Sequence, residues 1–176
     1  MKIAPQRKAI DAALDHYRDR LDTIPDELFA ETPPGGGWSF AEVYSHILQA
    51  TLASTIAAER CINGTCGPTK KGLTVLGRLV LFFNRFPPVR VKTPAAEAAR
   101  MKITKLTKEE AKNLLIKCRK RVDEITPGVK SSPVQNRFKH SRFGMLNALQ
   151  WYKFVLIHLK HHLKQLQQIK KKFAIR

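Results

Sequence analysis

Acidic residues are scarce in this 176-residue chain and are absent from its last part. No Asp or Glu occurs in residues 125–176, whereas those 52 residues carry eleven Lys and Arg. Over the whole chain, 32 Lys plus Arg stand against 14 Asp plus Glu, a formal net charge of +18. Such an excess favours an acidic partner, whether nucleic acid, an anionic surface or an anionic small molecule. It also means that residues 125–176 can supply no carboxylate as a metal ligand or as a base.

Cysteines and long apolar runs are also few. The three cysteines fit neither a disulfide framework nor a four-thiolate zinc site, so unpaired thiols are expected. They are Cys61, Cys66 and Cys118. The longest apolar run, residues 73–86, is too short for a bilayer and contains Arg78 and Arg85, so it predicts a buried or interfacial helix and no transmembrane segment. No apolar signal-peptide core lies near residue 1, so a cytoplasmic location is expected.

The length favours one domain over residues 1–176, and the apolar periodicity predicts helices with almost no alternating strand pattern. Helices are expected over residues 5–21, 38–60, 73–86, 107–127 and 147–173, with Pro127-Gly128 ending the fourth. Capping-box spacings mark three of the starts. These are Ser39/Glu42, Thr107/Glu110 and Asn147/Gln150. The Pro-rich residues 87–105 and the basic stretch before residue 147 are expected to be irregular. Four long helices with two long connections predict an all-α four-helix bundle.

Histidines on the last helix point to a metal site. At about 100° per residue, His158 and His162 lie one turn apart on the apolar stripe, whereas most of the lysines fall on the opposite face. His161 lies at the edge of the stripe. Two imidazoles at positions i and i+4 can converge on one metal ion. From the spacing alone, a packed pair of core histidines is an equally good interpretation.

A third ligand is expected from a facing helix. His46 is the single histidine of the second long helix, and its face carries a row of alanines that allows close approach. Three neutral imidazoles suit zinc, nickel, copper or iron and leave an open position for water or substrate. Gln165, His161 and Glu42, one turn before His46, are candidates to support the ligands by hydrogen bonds. His16 and His140 have no evident role.

Two sequence motifs resemble signatures of the DinB/YfiT-like superfamily. The C-terminal motif is His140, Phe143-Gly144, Leu146, Trp151, His158, His161-His162 and Gln165, with Ser141 where the family often has proline. The other is Trp38-Ser39, Glu42-Val43 and His46. The resemblance implies a four-helix bundle in which one histidine of the second helix and an i, i+4 pair of the last bind a divalent metal, typically zinc or nickel. Carried over, these ligands are His46, His158 and His162, and His161 matches an additional histidine that is not usually a ligand.

Two classes of function follow. The leading hypothesis is a metal-dependent transferase or hydrolase acting on a small molecule, because family members of understood activity are mainly low-molecular-weight thiol S-transferases and related isomerases. The alternative is a basic module that binds nucleic acid or an anionic surface and whose metal site is structural or vestigial. Nucleic acid is less favoured, because no helix-turn-helix or zinc-finger spacing occurs. Membrane contact through residues 73–90 and a homodimer are compatible with the sequence.

Overall fold

The computed structural model describes residues 2–87 and 103–174. Within these residues, six α-helices and one two-stranded antiparallel sheet follow one another along the chain. The helices are α1 (Ile3–Thr23), α2 (Asp26–Phe29), α3 (Phe40–Ile62), α4 (Val75–Phe83), α5 (Lys108–Val129) and α6 (Ala148–Lys172), and the strands are β1 (Arg137–His140) and β2 (Gly144–Asn147). The irregular crossing predicted for residues 87–105 lies largely outside the described residues.

The four long helices α1, α3, α5 and α6 form a bundle around an apolar core. Both α1 and α3 pack against α5 and α6. Two buried hydroxyls join three of these helices: Tyr17 of α1 donates to the carbonyl of Leu159 in α6 at 2.8 Å, and Tyr44 of α3 donates to the carbonyl of Tyr17 at 2.7 Å. Because buried hydroxyls need such partners, these bonds tie both α3 and α6 to α1. The predicted four-helix bundle is confirmed.

Each of α3, α5 and α6 begins with the predicted capping box. At α3 the Ser39 hydroxyl accepts from the Glu42 amide at 3.2 Å, while the Glu42 carboxylate accepts from the Ser39 amide at 2.8 Å. The other two boxes are Thr107/Glu110 and Asn147/Gln150. A capping box satisfies N–H groups that no helical carbonyl can reach. The start of α3, six residues before His46, is therefore well defined.

A β-hairpin occupies part of the stretch that the sequence predicted to be an irregular basic loop. Its strands pair antiparallel, with Phe138 opposite Leu146 and His140 opposite Gly144. The loop prediction was wrong because four-residue strands are too short to give a readable alternation, and their stability comes from distant partners. Gly144 illustrates this dependence: it has a φ of +83°, and a Cβ there would lie 2.5 Å from the carbonyl oxygen of Gly72.

Helix α5 continues through the Pro127-Gly128 pair that was predicted to end it, and it stops at Val129. Ile125 and Val129, on either side of the proline, are buried, and their packing offsets the lost hydrogen bond. Gly128 allows a close approach, since a Cβ there would lie 2.6 Å from Cγ2 of Ile62. The single-turn helix α2, between the helices predicted for residues 5–21 and 38–60, was also missed because one turn shows no periodicity.

Helix α4 confirms, over a shorter range, the helix predicted for residues 73–86. Its capping residue Thr74 donates its hydroxyl to the carbonyl of Arg142 at 2.9 Å, and its amide donates to the carbonyl of Phe143 at 2.9 Å. These bonds attach α4 to the turn of the hairpin, and the helix also packs on α6. Among the described residues, no helix has the length and apolar character needed to cross a bilayer.

Candidate metal centre

Three histidines from two helices meet inside the bundle. His46 lies on α3, and His158 and His162 lie one turn apart on α6. One possible ligand atom from each lies within 4.8 Å of the other two. The ring centroids are separated by 4.7 to 5.2 Å. The structure therefore brings the three predicted ligands into one cluster that could hold a metal ion.

Gln165 holds the His162 ring from the side away from the cluster. Its Oε1 lies 2.7 Å from Nδ1 of His162. Because a carbonyl oxygen can only accept, Nδ1 carries the proton, and Nε2 presents its lone pair to the cluster. Nε2 of His158 lies 3.0 Å from Nε2 of His162. This distance is close to the roughly 3.3 Å between two nitrogen ligands of the same tetrahedral zinc ion.

The surroundings of His158 and His162 favour the neutral form of each imidazole. Burial, followed by repulsion from His46 and His161, lowers the pKa of His162 to about 3. Burial, followed by the charges of His162 and His46, holds the pKa of His158 well below its usual range. A metal ion competes with protons for these nitrogens. The low pKa values therefore mean that the imidazolium forms do not compete with a metal ion at neutral pH.

Aromatic rings surround the cluster. Phe154, one turn before His158 on α6, stacks on that histidine with ring centroids 5.1 Å apart. The Phe86 ring, from the chain just after α4, lies 5.9 Å from the His158 ring, and the Trp38 ring lies 5.2 Å from the His46 ring. These rings reduce water access and lower the local dielectric constant. The helical wheel could have identified Phe154, but no local pattern could have identified Phe86.

The remaining predicted site residues occupy different positions. The Glu42 carboxylate accepts hydrogen bonds from the amide and hydroxyl of Ser39 at 2.8 and 2.7 Å, so it stabilises the start of α3. His161 is exposed, and its ring lies 4.6 Å from the Phe86 ring. Support of the metal ligands by either side chain stays a prediction.

His140, which had no role in the helical-wheel argument, joins the aromatic surroundings of the cluster. It lies at the end of β1, and its ring stacks on Phe143 at 4.3 Å and lies 5.0 Å from the Phe154 ring. Its charge also contributes to the lowered pKa of His158. The only available signal was its place in the C-terminal motif, because the hairpin that positions it was not predicted.

The cysteines are unpaired, as the sequence predicted. Burial raises the pKa of Cys118 to about 12. Burial and the neighbouring Cys66 raise the pKa of Cys61 to about 12. Both thiols are therefore protonated at neutral pH, and neither has the thiolate character of a nucleophile.

The fold and the cluster define a helical-bundle protein with a candidate three-histidine metal centre. The profile of the DinB superfamily matches residues 9–166, a span that contains all three histidines. The chain therefore belongs to the DinB superfamily, and the predicted family is confirmed.

A solved structure agrees with the fold. The crystal structure of TT2238, a four-helix bundle protein, is similar to this chain with a TM-score of 0.60 and 21% sequence identity. The similarity covers 95% of this chain and 99% of that chain. At this identity the likeness supports the fold alone. No curated protein matches the chain.

Proposed function

We propose that this chain is a metal-dependent enzyme that holds a divalent zinc or nickel ion with His46, His158 and His162. The supporting observation is the meeting of three imidazoles whose ligand atoms lie within 4.8 Å of one another. Imidazole is a borderline ligand suited to both metals. Three protein ligands leave a fourth position for water or substrate, as in catalytic zinc sites.

The proposed reaction is transfer to a low-molecular-weight thiol, or hydrolysis by water. A bound metal ion supplies Lewis acidity, which lowers the pKa of a thiol or a water molecule enough to give a nucleophile near neutral pH. The buried Cys61 and Cys118, with pKa values raised to about 12, do not offer an alternative nucleophile. The preference for a thiol rests on the family resemblance and not on a feature of the cluster.

Side chains around the cluster have separate tasks in this proposal. Gln165 keeps the proton of His162 on Nδ1 and so directs Nε2 inward. Phe154 and Phe86 limit water access beside His158 and strengthen electrostatic interactions there. Trp38 does the same beside His46. Binding, orientation and exclusion of water thus come from α3, α6 and the segment after α4.

Metal analysis of protein purified without an affinity tag tests the proposal. After exposure to zinc or nickel and gel filtration, the wild-type chain is expected to retain about one equivalent. His158→Ala and His162→Ala should each lose most of it, because two imidazoles bind far more weakly than three. His16→Ala is the matched control, since this exposed histidine of α1 lies outside the cluster.

Activity measurements test the proposed reaction separately from metal binding. Consumption of a small thiol by an electrophile and hydrolysis of an ester are each followed with the metal-loaded chain, the chelated chain and His158→Ala. Turnover should require the loaded wild-type chain. Wild-type protein that retains well under one equivalent of metal, or His158→Ala that retains as much as wild type, would contradict the metal site. Full loading without turnover of thiol or ester substrates would contradict the enzymatic proposal alone.

A further inference from the structure

Helix α4 presents an apolar stripe to solvent, and we call these four residues the α4 stripe. Val75, Leu79, Phe82 and Phe83 are 73, 49, 76 and 55% exposed. At about 100° per residue, the four positions fall within an arc of about 100°. Gly77, Val80 and Leu81 occupy the opposite side of the helix and are buried. The helix is therefore apolar on both its buried and its exposed face, unlike an ordinary amphipathic surface helix.

The protein body holds the α4 stripe in place. Gly77 lies so close to the hairpin turn that a Cβ there would be 2.5 Å from the carbonyl oxygen of Phe143. Thr74 donates its hydroxyl to the carbonyl of Arg142 at 2.9 Å. Three residues beyond the helix, the Phe86 ring lies 4.6 Å from the ring of His161. The stripe is thus a fixed surface that adjoins the candidate metal centre.

Basic residues flank the α4 stripe, and acidic residues are missing. The exposed basic residues before, within and just after the helix are Lys70, Lys71, Arg78 and Arg85. No Asp or Glu occurs in residues 61–87. The guanidinium of Arg137 in β1 donates to the carbonyl of Lys71 at 2.6 Å, so the acid-free C-terminal part of the chain lies beside this region. Within residues 2–87 and 103–174, none of these four basic side chains forms an ion pair with a carboxylate, so the stripe has positive charge beside it.

We propose that the α4 stripe docks on an anionic lipid surface. Its apolar side chains would enter the boundary between lipid headgroups and acyl chains, while the flanking Lys and Arg would contact lipid phosphates. This combination of an apolar face and basic flanks is typical of interfacial helices. Nine residues extend about 13 Å, far less than the roughly 30 Å hydrocarbon core, so the helix would lie in the plane of the surface.

The charges decide between a membrane and other occupants. A second copy docked stripe to stripe would bring Arg78 and Arg85 of both copies together, and like charges oppose that contact. Nucleic acid would engage the basic residues but would leave four large apolar side chains in water. An anionic lipid surface satisfies both features at once.

Flotation of the full-length chain with lipid vesicles tests this docking. Vesicles of phosphatidylcholine alone are compared with vesicles containing about 30% phosphatidylglycerol, each at about 0.05 and 0.5 M salt. Phe82→Ser/Phe83→Ser removes half of the stripe. Its matched control is Ile116→Ser/Val134→Ser, which changes two comparably exposed apolar residues outside α4. For charge, Arg78→Gln/Arg85→Gln is compared with Lys117→Gln/Lys120→Gln on α5.

The chain is expected to float with the anionic vesicles at low salt. Phe82→Ser/Phe83→Ser and Arg78→Gln/Arg85→Gln should each bind at least about tenfold more weakly, with both controls near wild type. Circular dichroism should match across all variants, because every changed side chain is exposed. No flotation at low salt, equal losses in variants and controls, or a dimer in light scattering that Phe82→Ser/Phe83→Ser dissociates would each overturn the proposal.

Discussion

Replacing Gln165 by leucine tests how the cluster is held ready for a metal. The Gln165 Oε1 lies 2.7 Å from Nδ1 of His162 and accepts a hydrogen bond from it. Leucine fills similar space but cannot accept, so the ring can turn or move its proton to Nε2. Loss of such a supporting hydrogen bond lowers metal affinity by roughly 10- to 100-fold. That range corresponds to about 1.4 to 2.7 kcal/mol of binding free energy.

A competition titration measures this effect directly. Metal-free protein and a chromophoric zinc chelator share a limiting amount of zinc near neutral pH, and the dissociation constant is obtained from the chelator spectrum. Gln165→Glu keeps an acceptor oxygen and adds negative charge beside His162, so its affinity should equal or exceed that of wild type. Gln168→Leu is the matched control, because this exposed glutamine lies one turn further from the cluster.

The outcome also distinguishes a positioning role of Gln165 from metal binding by the three histidines. If wild type binds zinc and Gln165→Leu binds within twofold of it, Gln165 does not position His162. If Gln168→Leu weakens binding as much as Gln165→Leu, the effect belongs to the helix surface and not to the hydrogen bond. If wild type binds no zinc, the metal site itself is contradicted.

Two further predictions concern stability. The folded-state pKa values of His158 and His162 are lowered, so the unfolded chain binds more protons than the folded chain below pH of about 6.5. The metal-free protein should therefore lose stability as the pH falls from there toward 3. The expected loss in the free energy of unfolding is up to about 1.4 kcal/mol per pH unit for each histidine. Chemical denaturation between pH of about 7 and 4.5 measures this, and a slope unchanged in His162→Gln would contradict it. Gly77→Ala places a Cβ 2.5 Å from the Phe143 carbonyl oxygen and should destabilise the chain by roughly 1 to 3 kcal/mol. Gly72→Ala, whose nearest neighbour is the Arg137 side chain at 3.4 Å, should not, and equal melting temperatures for both variants would contradict the tight packing of α4.

Local sequence signals predicted the parts of the fold that local physics determines. The capping boxes at Ser39, Thr107 and Asn147 depend on side chains three residues apart, and all three are present. The apolar stripe of α6 depends on a 3.6-residue period, and it places His158 and His162 together as expected. The face of α3 that carries His46 could also be recognised from the sequence, although its contact with α6 could not.

Features that depend on distant partners were not predictable in this way. The hairpin exists because β1 and β2 pair with each other and because Gly144 fits against the backbone of Gly72. Phe86 reaches His158 only because α4 is attached to the hairpin turn. His140 enters the aromatic surroundings because strand β1 of the hairpin positions it. The aromatic surroundings of the cluster were therefore not predicted, whereas the meeting of the three histidines was.

The shortage of acidic residues matters most at the cluster. Among the described residues, the candidate ligand group consists of three histidines and contains no carboxylate. A divalent ion held by neutral imidazoles keeps its full positive charge, whereas each carboxylate ligand would cancel part of it. In the proposed site, the retained charge would lower the pKa of a bound thiol or water more strongly. The excess of Lys and Arg adds a field of the same sign, which favours anionic nucleophiles and substrates. Composition and geometry thus both support the proposed function, in which a bound metal ion would stabilise a thiolate or hydroxide.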